Sequence, residues 1–261
     1  MSANAAFTLA RRLRAGETVF SAWCGLPEPL VCEAIAREGF SAVTLDMQHG
    51  MWDTASALAA IASVHLAGAA PVVRVPLWEN ASVSRMLDFG AEGIIAPMIN
   101  GTAEANAFVQ VAKYPPVGER SIGAHRAGML ARVPDQKLYI ADANQTTISF
   151  AMIETRAALD NLDAIAGMPG IDSLFVGPSD LSCSLSGGAS MDSHSADVEA
   201  ALERVLTACD RHKKIPALYC RDADRALAKA KQGFRFLAVA SDLTFLRAGT
   251  AAQLKVLGSA R

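Results

Sequence analysis

The sequence predicts a single (β/α)8 (TIM) barrel domain over residues 1–261. Short runs rich in β-branched residues alternate with longer Ala- and Leu-rich stretches from one end of the chain to the other, a pattern typical of alternating strands and helices. Eight candidate strands can be counted, each followed by a candidate helix, and 261 residues is close to the usual barrel length. No Gly-x-Gly-x-x-Gly follows the first strand, which disfavours an open dinucleotide-binding sheet.

The eight candidate strands are short and apolar, and the candidate helices fill the gaps between them. The strands are Thr18–Trp23, Ala42–Asp46, Val72–Val75, Gly93–Pro97, Ile148–Ile153, Ser173–Val176, Pro216–Tyr219 and Phe236–Ala240. The helices are Pro29–Glu38, Asp53–Ala67, Ala81–Phe89, Ala103–Ala112, Ala157–Ala166, Asp197–His212, Asp222–Gln232 and Leu243–Lys255. A short amphipathic helix is expected before Gly16, and the Pro-, Gly- and Arg-rich stretch 114–128 is expected to be an ordered functional loop.

Several helix ends carry capping signals. Candidate N-caps are Asp53, Asn80, Thr102, Asp222 and Asp242, and candidate terminating glycines are Gly39, Gly68, Gly90 and Gly233.

Composition excludes several classes of function. Lys plus Arg is 24 and Asp plus Glu is 26, so the net charge is −2, and no broad basic field would attract nucleic acid. The most hydrophobic window, 57–73, is Ala-rich and interrupted by His65, Gly68 and Pro71, so we expect a helix and a strand rather than a membrane span. No secretory signal is expected at the N-terminus. Five scattered cysteines without a Cys-x-x-Cys pair favour a reducing cytoplasm.

The chemistry of a barrel lies at the carboxyl ends of its strands, and two carboxylates stand there on neighbouring strands. Glu154 ends the fifth strand, and Asp180 follows the sixth. A divalent cation such as Mg²⁺ or Mn²⁺, with Co²⁺ a further candidate, would resolve their mutual repulsion. The alternative is that Glu154 pairs with Arg156 and that Asp180 caps the next turn.

Three further side chains point to acid–base or anion chemistry at the same mouth. Arg74 lies within an apolar strand and needs an anionic partner, which is either a substrate or an internal carboxylate such as Asp46 or Glu154. His49 stands three residues beyond Asp46, a spacing that allows the carboxylate to orient the imidazole as a general base.

Other catalytic classes lack their residues. There is no His-x-His or His-Glu-x-x-His pattern for zinc. The lysines fall in predicted helices, in the long loop or at the entry to the seventh strand, so a Schiff-base lysine at the mouth is not expected. The exits of the last two strands carry no glycine nest for phosphate.

The chain resembles the HpcH/HpaI aldolase family in an ordered set of motifs from about residue 23 to 242. These motifs are Trp23, Leu-Asp46-Met-Gln48-His49-Gly50, Pro-Val-Val-Arg74-Val-Pro, Ala-Pro97-Met98, Tyr114-Pro-Pro-x-Gly118-x-Arg120-Ser121-x-Gly123, Ile-Glu154-Thr, Asn161-Leu-Asp-Ala-Ile and Phe-Val-Gly177-Pro178-Ser179-Asp180.

The resemblance implies a metal-dependent aldolase on a barrel. It implies that a 4-hydroxy-2-oxoacid is cleaved to pyruvate or hydroxypyruvate and an aldehyde, with Glu154 and Asp180 as metal ligands. Arg74 would hold the 2-oxoacid, and His49 with Asp46 would act as acid and base. The substrate carboxylate would contact the backbone at Gly177, Pro178 and Ser179, and the substrate-binding set also includes Trp23 and Gln48. A homotrimer or homohexamer is implied, with the last helix on a neighbouring copy.

Two departures from the family pattern lie near the expected mouth. Gln48 stands where relatives often have Glu, and Met152 stands where a Gln is common. We expect them to affect the choice of aldehyde and oxoacid rather than the metal site.

Two other functions stay open. One is a citryl-CoA or malyl-CoA lyase, for which the sequence shows no basic cluster near a strand exit, and the other is a non-catalytic binding protein on the same barrel.

Overall fold

A computed structural model describes residues 6–258 of the chain. Its eight strands are all parallel and close into a barrel in sequence order, each strand paired with the next and β8 paired with β1. The strands are β1 Val19–Cys24, β2 Ala42–Asp46, β3 Ala70–Arg74, β4 Gly93–Ala96, β5 Ile148–Ile153, β6 Ser173–Val176, β7 Ile215–Cys220 and β8 Phe236–Val239. The predicted barrel is confirmed, and all eight strands lie within two residues of their predicted bounds.

The helices surround the barrel. They are α1 Leu9–Arg14, α2 Pro29–Arg37, α3 Thr54–Leu66, α4 Asn80–Phe89, α5 Thr102–Ala112, α6 His125–Leu130, α7 Gln136–Thr146, α8 Arg156–Asp160, α9 Leu162–Ala166, α10 Pro178–Leu185, α11 Ala196–His212, α12 Ala223–Gln232 and α13 Asp242–Gly258. None of those within residues 6–258 has both the length and the apolar character needed to cross a membrane.

The capping signals are correct at some helices and shifted by one residue at others. The carboxylates of Asp53 and Asp222 cap α3 and α12, and Asp53 forms a capping box with Ser56. Asn80, Thr102 and Asp242 are wrong as N-caps because each is the first helical residue. The four terminating glycines all adopt positive φ, the left-handed conformation that glycine accepts without strain.

The interior of the barrel is packed by inward-facing aromatic side chains. Phe150 and Phe236 lie 4.8 Å apart between ring centroids, and Phe175 lies 6.3 Å from each. A Cβ at Gly93 would stand 2.8 Å from the Phe150 ring, so only glycine fits beside it. The apolar face of α1 closes the amino-terminal end of this interior with Leu9 and Leu13. The carboxyl end of the barrel is therefore the open one.

The stretch 114–128, expected to be a loop, ends in the first residues of a helix, α6, and a second helix, α7, follows where no element was predicted. They pack through small apolar residues with Phe7 into a separate cluster, which also contains Tyr114 and Tyr139. The guanidinium of Arg120 pairs with Asp88 at 2.6 Å and lies 4.5 Å from the centre of the Tyr114 ring. The loop prediction is therefore wrong from residue 125 onward, where α6 begins, while the segment between Tyr114 and Arg120 is irregular and anchored.

The helix predicted over 157–166 is divided in two. Asn161 ends α8 and begins α9. A further short helix, α10, follows β6 directly and was not predicted; it begins with Pro178, a residue suited to the first turn of a helix.

Candidate active site

A cavity of about 210 Å³ opens at the carboxyl end of the barrel. Its walls are Trp23, His49, Arg74, Met152, Phe175, Gly177, Pro178, Ser179, Asp180 and Tyr219. The structure thus brings together seven of the ten residues that the sequence nominated. Glu154 lies just behind the wall, because a Cβ added at Gly177 would be 2.7 Å from its Oε2 atom.

Arg74 and Asp46 form a buried bidentate ion pair at the ends of β3 and β2. The parallel register places the two residues opposite each other. The Arg74 Nε and Nη2 atoms donate to the two oxygens of Asp46 at 2.8 and 2.7 Å. Trp23 Nε1 donates to Asp46 Oδ2 at 3.1 Å, and the Arg74 guanidinium lies 4.8 Å from the centre of the Trp23 ring. The internal carboxylate partner considered for Arg74 is therefore Asp46.

The Asp46 side chain contacts the backbone of His49 rather than its ring. Its Oδ1 atom accepts the amides of Gln48 and His49 at 3.1 and 3.2 Å. Among the described residues, no hydrogen bond joins the carboxylate to the His49 ring. Burial by itself raises the pKa of Asp46, but hydrogen bonds from Arg74, the His49 amide and Trp23 outweigh it and hold that pKa below its usual value. The carboxylate is thus anionic, and it fixes the turn that carries His49.

Glu154 is a buried carboxylate at the end of β5. Its Oε1 atom accepts the Met98 amide at 2.7 Å. Burial raises the pKa of Glu154 to about 7; the Met98 amide opposes this rise, and the nearby charge of Asp180 adds to it. In the part of the chain from residue 6 to 258, neither Glu154 nor Asp180 forms a salt bridge. The alternative pairing of Glu154 with Arg156 does not occur, since Arg156 donates to the Leu185 carbonyl instead.

Asp180 stands in the first turn of α10, exposed at the mouth of the cavity. The start of this helix packs tightly on Glu154, and a side chain at Gly177 would also meet the Met152 methyl group at 3.0 Å. The Glu154 and Asp180 carboxylates therefore approach each other, and neither has a salt-bridge partner among the described residues, since the nearby Arg74 is paired with Asp46. Such a donor set suits a hard divalent cation that completes its coordination with water and substrate oxygens. Within the described ranges, no three His, Cys, Asp or Glu side chains cluster as a closed metal centre.

Three wall residues were not nominated as site residues: Met152, Phe175 and Tyr219. The signal that could have found them is the two-residue period of a strand. Met152 stands two residues before Glu154, and Phe175 two before Gly177, so each pair shares the inward face. Tyr219 donates its hydroxyl to the Ala240 carbonyl at 3.2 Å and meets the Trp23 ring edge-on at 5.4 Å.

Gln48 is one of three nominated residues, with Asp46 and Glu154, that do not line the cavity. Its backbone amide donates to Asp46, while its Oε1 atom is buried without a hydrogen-bond partner among the residues described.

The buried lysines Lys113 and Lys229 lie outside the mouth of the barrel. Lys113 pairs with Asp172 at the amino-terminal end of the barrel, and Lys229 pairs with Glu199 between two outer helices.

A parallel barrel with a charged, partly apolar cavity at the carboxyl ends of its strands is the architecture of an enzyme. The HpcH/HpaI aldolase/citrate lyase family model matches residues 20–248. A hydroxypyruvate/pyruvate aldolase from Rhizorhabdus wittichii is 36% identical over 246 residues, covering 94% of this chain and 95% of the relative. A 5-keto-4-deoxy-D-glucarate aldolase from Salmonella arizonae is 35% identical, with 91% of each chain covered.

A solved structure agrees with these sequence matches. The HpcH/HpaI aldolase from Desulfitobacterium hafniense superposes with a TM-score of 0.86 at 27% identity, covering 95% of this chain and 96% of the other. The chain belongs to the HpcH/HpaI aldolase/citrate lyase family. It is an aldolase-type lyase.

Proposed function

We propose that this chain is a divalent-metal-dependent aldolase that reversibly cleaves a 4-hydroxy-2-oxoacid to pyruvate or hydroxypyruvate and an aldehyde. The observation that carries the proposal is the approach of the Glu154 and Asp180 carboxylates to each other. Neither is in a salt bridge among the described residues, and the Arg74 guanidinium beside them is already paired with Asp46. The names of the relatives from R. wittichii and S. arizonae support the same class of substrate.

Glu154 and Asp180 would hold the metal ion. Mg²⁺ or Mn²⁺ suits two carboxylate ligands, and Co²⁺ is a further candidate. A bound divalent cation would supply Lewis-acid polarisation of the keto oxygen. Glu154 Oε1 is already engaged by the Met98 amide, so Oε2 is the oxygen left for a ligand.

The oxoacid is held by Arg74 and by the start of α10. The Nε and Nη2 atoms of Arg74 are used by Asp46, which leaves Nη1 to donate to the keto oxygen where negative charge develops. The substrate carboxylate lies at the first turn of α10, where free amides favour anions. Ser179 has such an amide, whereas Pro178 has none and contributes shape only.

His49 moves the proton. As the C3–C4 bond breaks, the C4 hydroxyl loses its proton to the imidazole, directly or through one water, and becomes the aldehyde carbonyl. The electron pair of that bond passes into the C2–C3 bond and onto the keto oxygen, and C3 then takes a proton to give the oxoacid. Asp46 holds Arg74 and the His49 turn, so its part is positional.

We further infer that the protein is a homo-oligomer of the reducing cytoplasm. Five apolar residues of α13 are between 46% and 67% exposed in the single chain, and a second copy of the chain is the partner that would cover them. The five cysteines are free thiols, as a reducing compartment favours.

The deciding experiment is proton NMR of hydrogen–deuterium exchange at C3 of pyruvate and hydroxypyruvate in D₂O. We expect exchange with Mn²⁺ or Mg²⁺ and none with EDTA. The Glu154→Ala and Asp180→Ala variants should lose it, whereas Glu203→Ala, an exposed change on α11, should keep it. Exchange that is absent with both acids and every metal, or unchanged in the Glu154→Ala variant, would overturn the proposal.

A further inference from the structure

Two loops at the mouth of the barrel are tied together by three polar residues, here named the Asn100 clasp: Asn100, Thr155 and Asn161. The Thr155 hydroxyl donates to the Asn100 side-chain oxygen. The Asn161 side-chain amide donates to the Asn100 backbone carbonyl at 2.9 Å. Asn100 lies in the loop after β4, and the other two residues lie in the segment after β5. The clasp therefore joins the exits of neighbouring strands.

The loop that the clasp holds contains an unusual backbone conformation. Met98, two residues before Asn100, has a φ of +54°, the left-handed region that residues with a side chain rarely adopt. Such a conformation persists where the surrounding structure imposes it. In it, the Met98 amide points at Glu154 Oε1 at 2.7 Å.

A series of contacts links the Asn100 clasp to the Glu154 carboxylate. Thr155 and Asn161 restrain Asn100, Asn100 restrains the loop, and the loop aims the Met98 amide at one oxygen of Glu154. The other oxygen then faces the tightly packed Gly177, beside Asp180. The same Thr155 hydroxyl also accepts the Ala158 amide at 3.0 Å and begins α8, so the clasp rests on a helix start rather than on a free loop.

We propose that the Asn100 clasp is a positioning device that presents Glu154 to the metal ion, with Asn100 and Asn161 as its positioning residues. Groups that hydrogen-bond a ligating side chain orient it, and their loss commonly weakens metal affinity by about 10- to 100-fold. The inference rests on the proposed function, because it takes Glu154 as a metal ligand.

The test compares the Asn100→Ala and Asn161→Ala variants with Asn106→Ala. Asn106 is an exposed residue of α5, and the one side chain among residues 6–258 that bonds it is Gln110, which donates to its oxygen. Binding of Mn²⁺ is measured by electron paramagnetic resonance of the free ion, without substrate. We expect each clasp variant to bind Mn²⁺ about 10-fold more weakly than the unaltered protein, and the control to bind it equally well.

A second readout separates positioning from general destabilisation. In the aldol cleavage assay, the clasp variants should need more Mn²⁺ for half-maximal rate, yet reach a kcat close to that of the unaltered enzyme at saturating Mn²⁺. Thermal unfolding without metal should change little. If the unaltered protein binds no Mn²⁺, the proposed function fails. If it binds Mn²⁺ and the clasp variants bind it equally well, only the positioning inference fails.

Discussion

At the mouth of the barrel, the Asp46 carboxylate is saturated with hydrogen bonds. It accepts five, from Trp23, from two nitrogens of Arg74, and from the amides of Gln48 and His49. A buried carboxylate in this state has no proton to exchange and serves to hold its neighbours. The Asp–x–x–His spacing suggested a general-base dyad. Among the described residues, the Asp46 carboxylate bonds the backbone amide of His49 and not its ring, so the catalytic part of His49 stays a prediction.

Removing this carboxylate should destabilise the fold. The Asp46→Ala variant leaves the Arg74 guanidinium buried without its anion, at a cost of about 3–5 kcal/mol. Urea unfolding measures the loss. The matched control is Glu17→Ala, which removes an exposed partner of Arg12 and should cost no more than about 1 kcal/mol. Equal losses in the two variants would contradict the buried role of Asp46.

The raised pKa of Glu154 predicts that the stability of the folded protein depends on pH. Burial raises the pKa of its folded-state carboxyl to about 7 from a usual value of 4.5. The protonated carboxyl therefore stabilises the folded state fully below pH 4.5. This stabilisation, on the order of 3 kcal/mol, is lost as the pH rises from 4.5 through 7. Without divalent cations, the Glu154→Gln variant should be more stable than the unaltered protein at pH 8 and equal to it at pH 4.

Comparison of the two proteins by urea unfolding across that pH range isolates Glu154, since all other groups are shared. The Glu203→Gln variant on α11 is the control and should show no such difference. Mn²⁺ at pH 8 should stabilise the unaltered protein and not Glu154→Gln. A stability difference that does not vary with pH would show that Glu154 ionises as freely as an exposed glutamate.

Among the secondary-structure elements, α1 depends on a residue far away in the sequence. The Thr8 side chain forms no cap. Instead the buried Glu92 carboxylate accepts the amides of Thr8 and Leu9, both at 2.8 Å. These amides are among those a helix start leaves unpaired.

The Glu92→Ala variant should loosen α1. Losing this cap leaves two amides unsatisfied, at a cost of about 1–3 kcal/mol, and hydrogen exchange of residues 8–14 should accelerate. The Glu119→Ala variant, which changes an exposed side chain, should leave that exchange as it is. Unaltered protection of α1 in Glu92→Ala would mean that its apolar packing alone holds it.

Strands were predicted more accurately than the helices of the connecting segment. Each strand is a short, buried, β-branched run between turn residues, so local pattern and tertiary environment agree. The helices α6 and α7 lack that agreement. The buried residues of α7, Tyr139, Ala143 and Thr146, have helical spacing, but the neighbouring Leu138 is apolar and exposed. The hydrophobic pattern therefore does not mark the face that packs with Phe7 and Tyr114.

At the scale of the whole molecule, most side chains of α13 are exposed in the single chain. Its start is anchored, because Asp242 accepts the Leu26 amide at 2.8 Å and Phe245 packs against Phe40 at 5.8 Å. Beyond this start the side chains are exposed, including Leu254 and Leu257. The packing of α13 on a neighbouring copy, which the family resemblance implies, stays a prediction.

We expect assembly to cover this surface, and we expect a charged side chain introduced into the surface to prevent assembly. We expect sedimentation to show an oligomer, and the Leu254→Glu and Leu257→Glu variants to shift it to the monomer, because a carboxylate would be buried in the interface. Leu66→Glu changes an equally exposed leucine on α3 and should leave the assembly intact. A monomeric unaltered protein would contradict the expectation.

The sequence alone determined the barrel, the order of its elements and most of the residues at its mouth. It could do so because period and polar strand ends are local properties, and because parallel strands must end at one face. The resemblance to a known family implied the remaining nominated wall residues, Trp23, Gly177, Pro178 and Ser179. Only the tertiary structure decided the partners. Asp46 binds Arg74 because the strand register sets them opposite each other, Glu154 is aimed by the Met98 amide, and Tyr219 joins the wall beside Trp23. These contacts link residues distant along the chain, and barrel closure sets their distances.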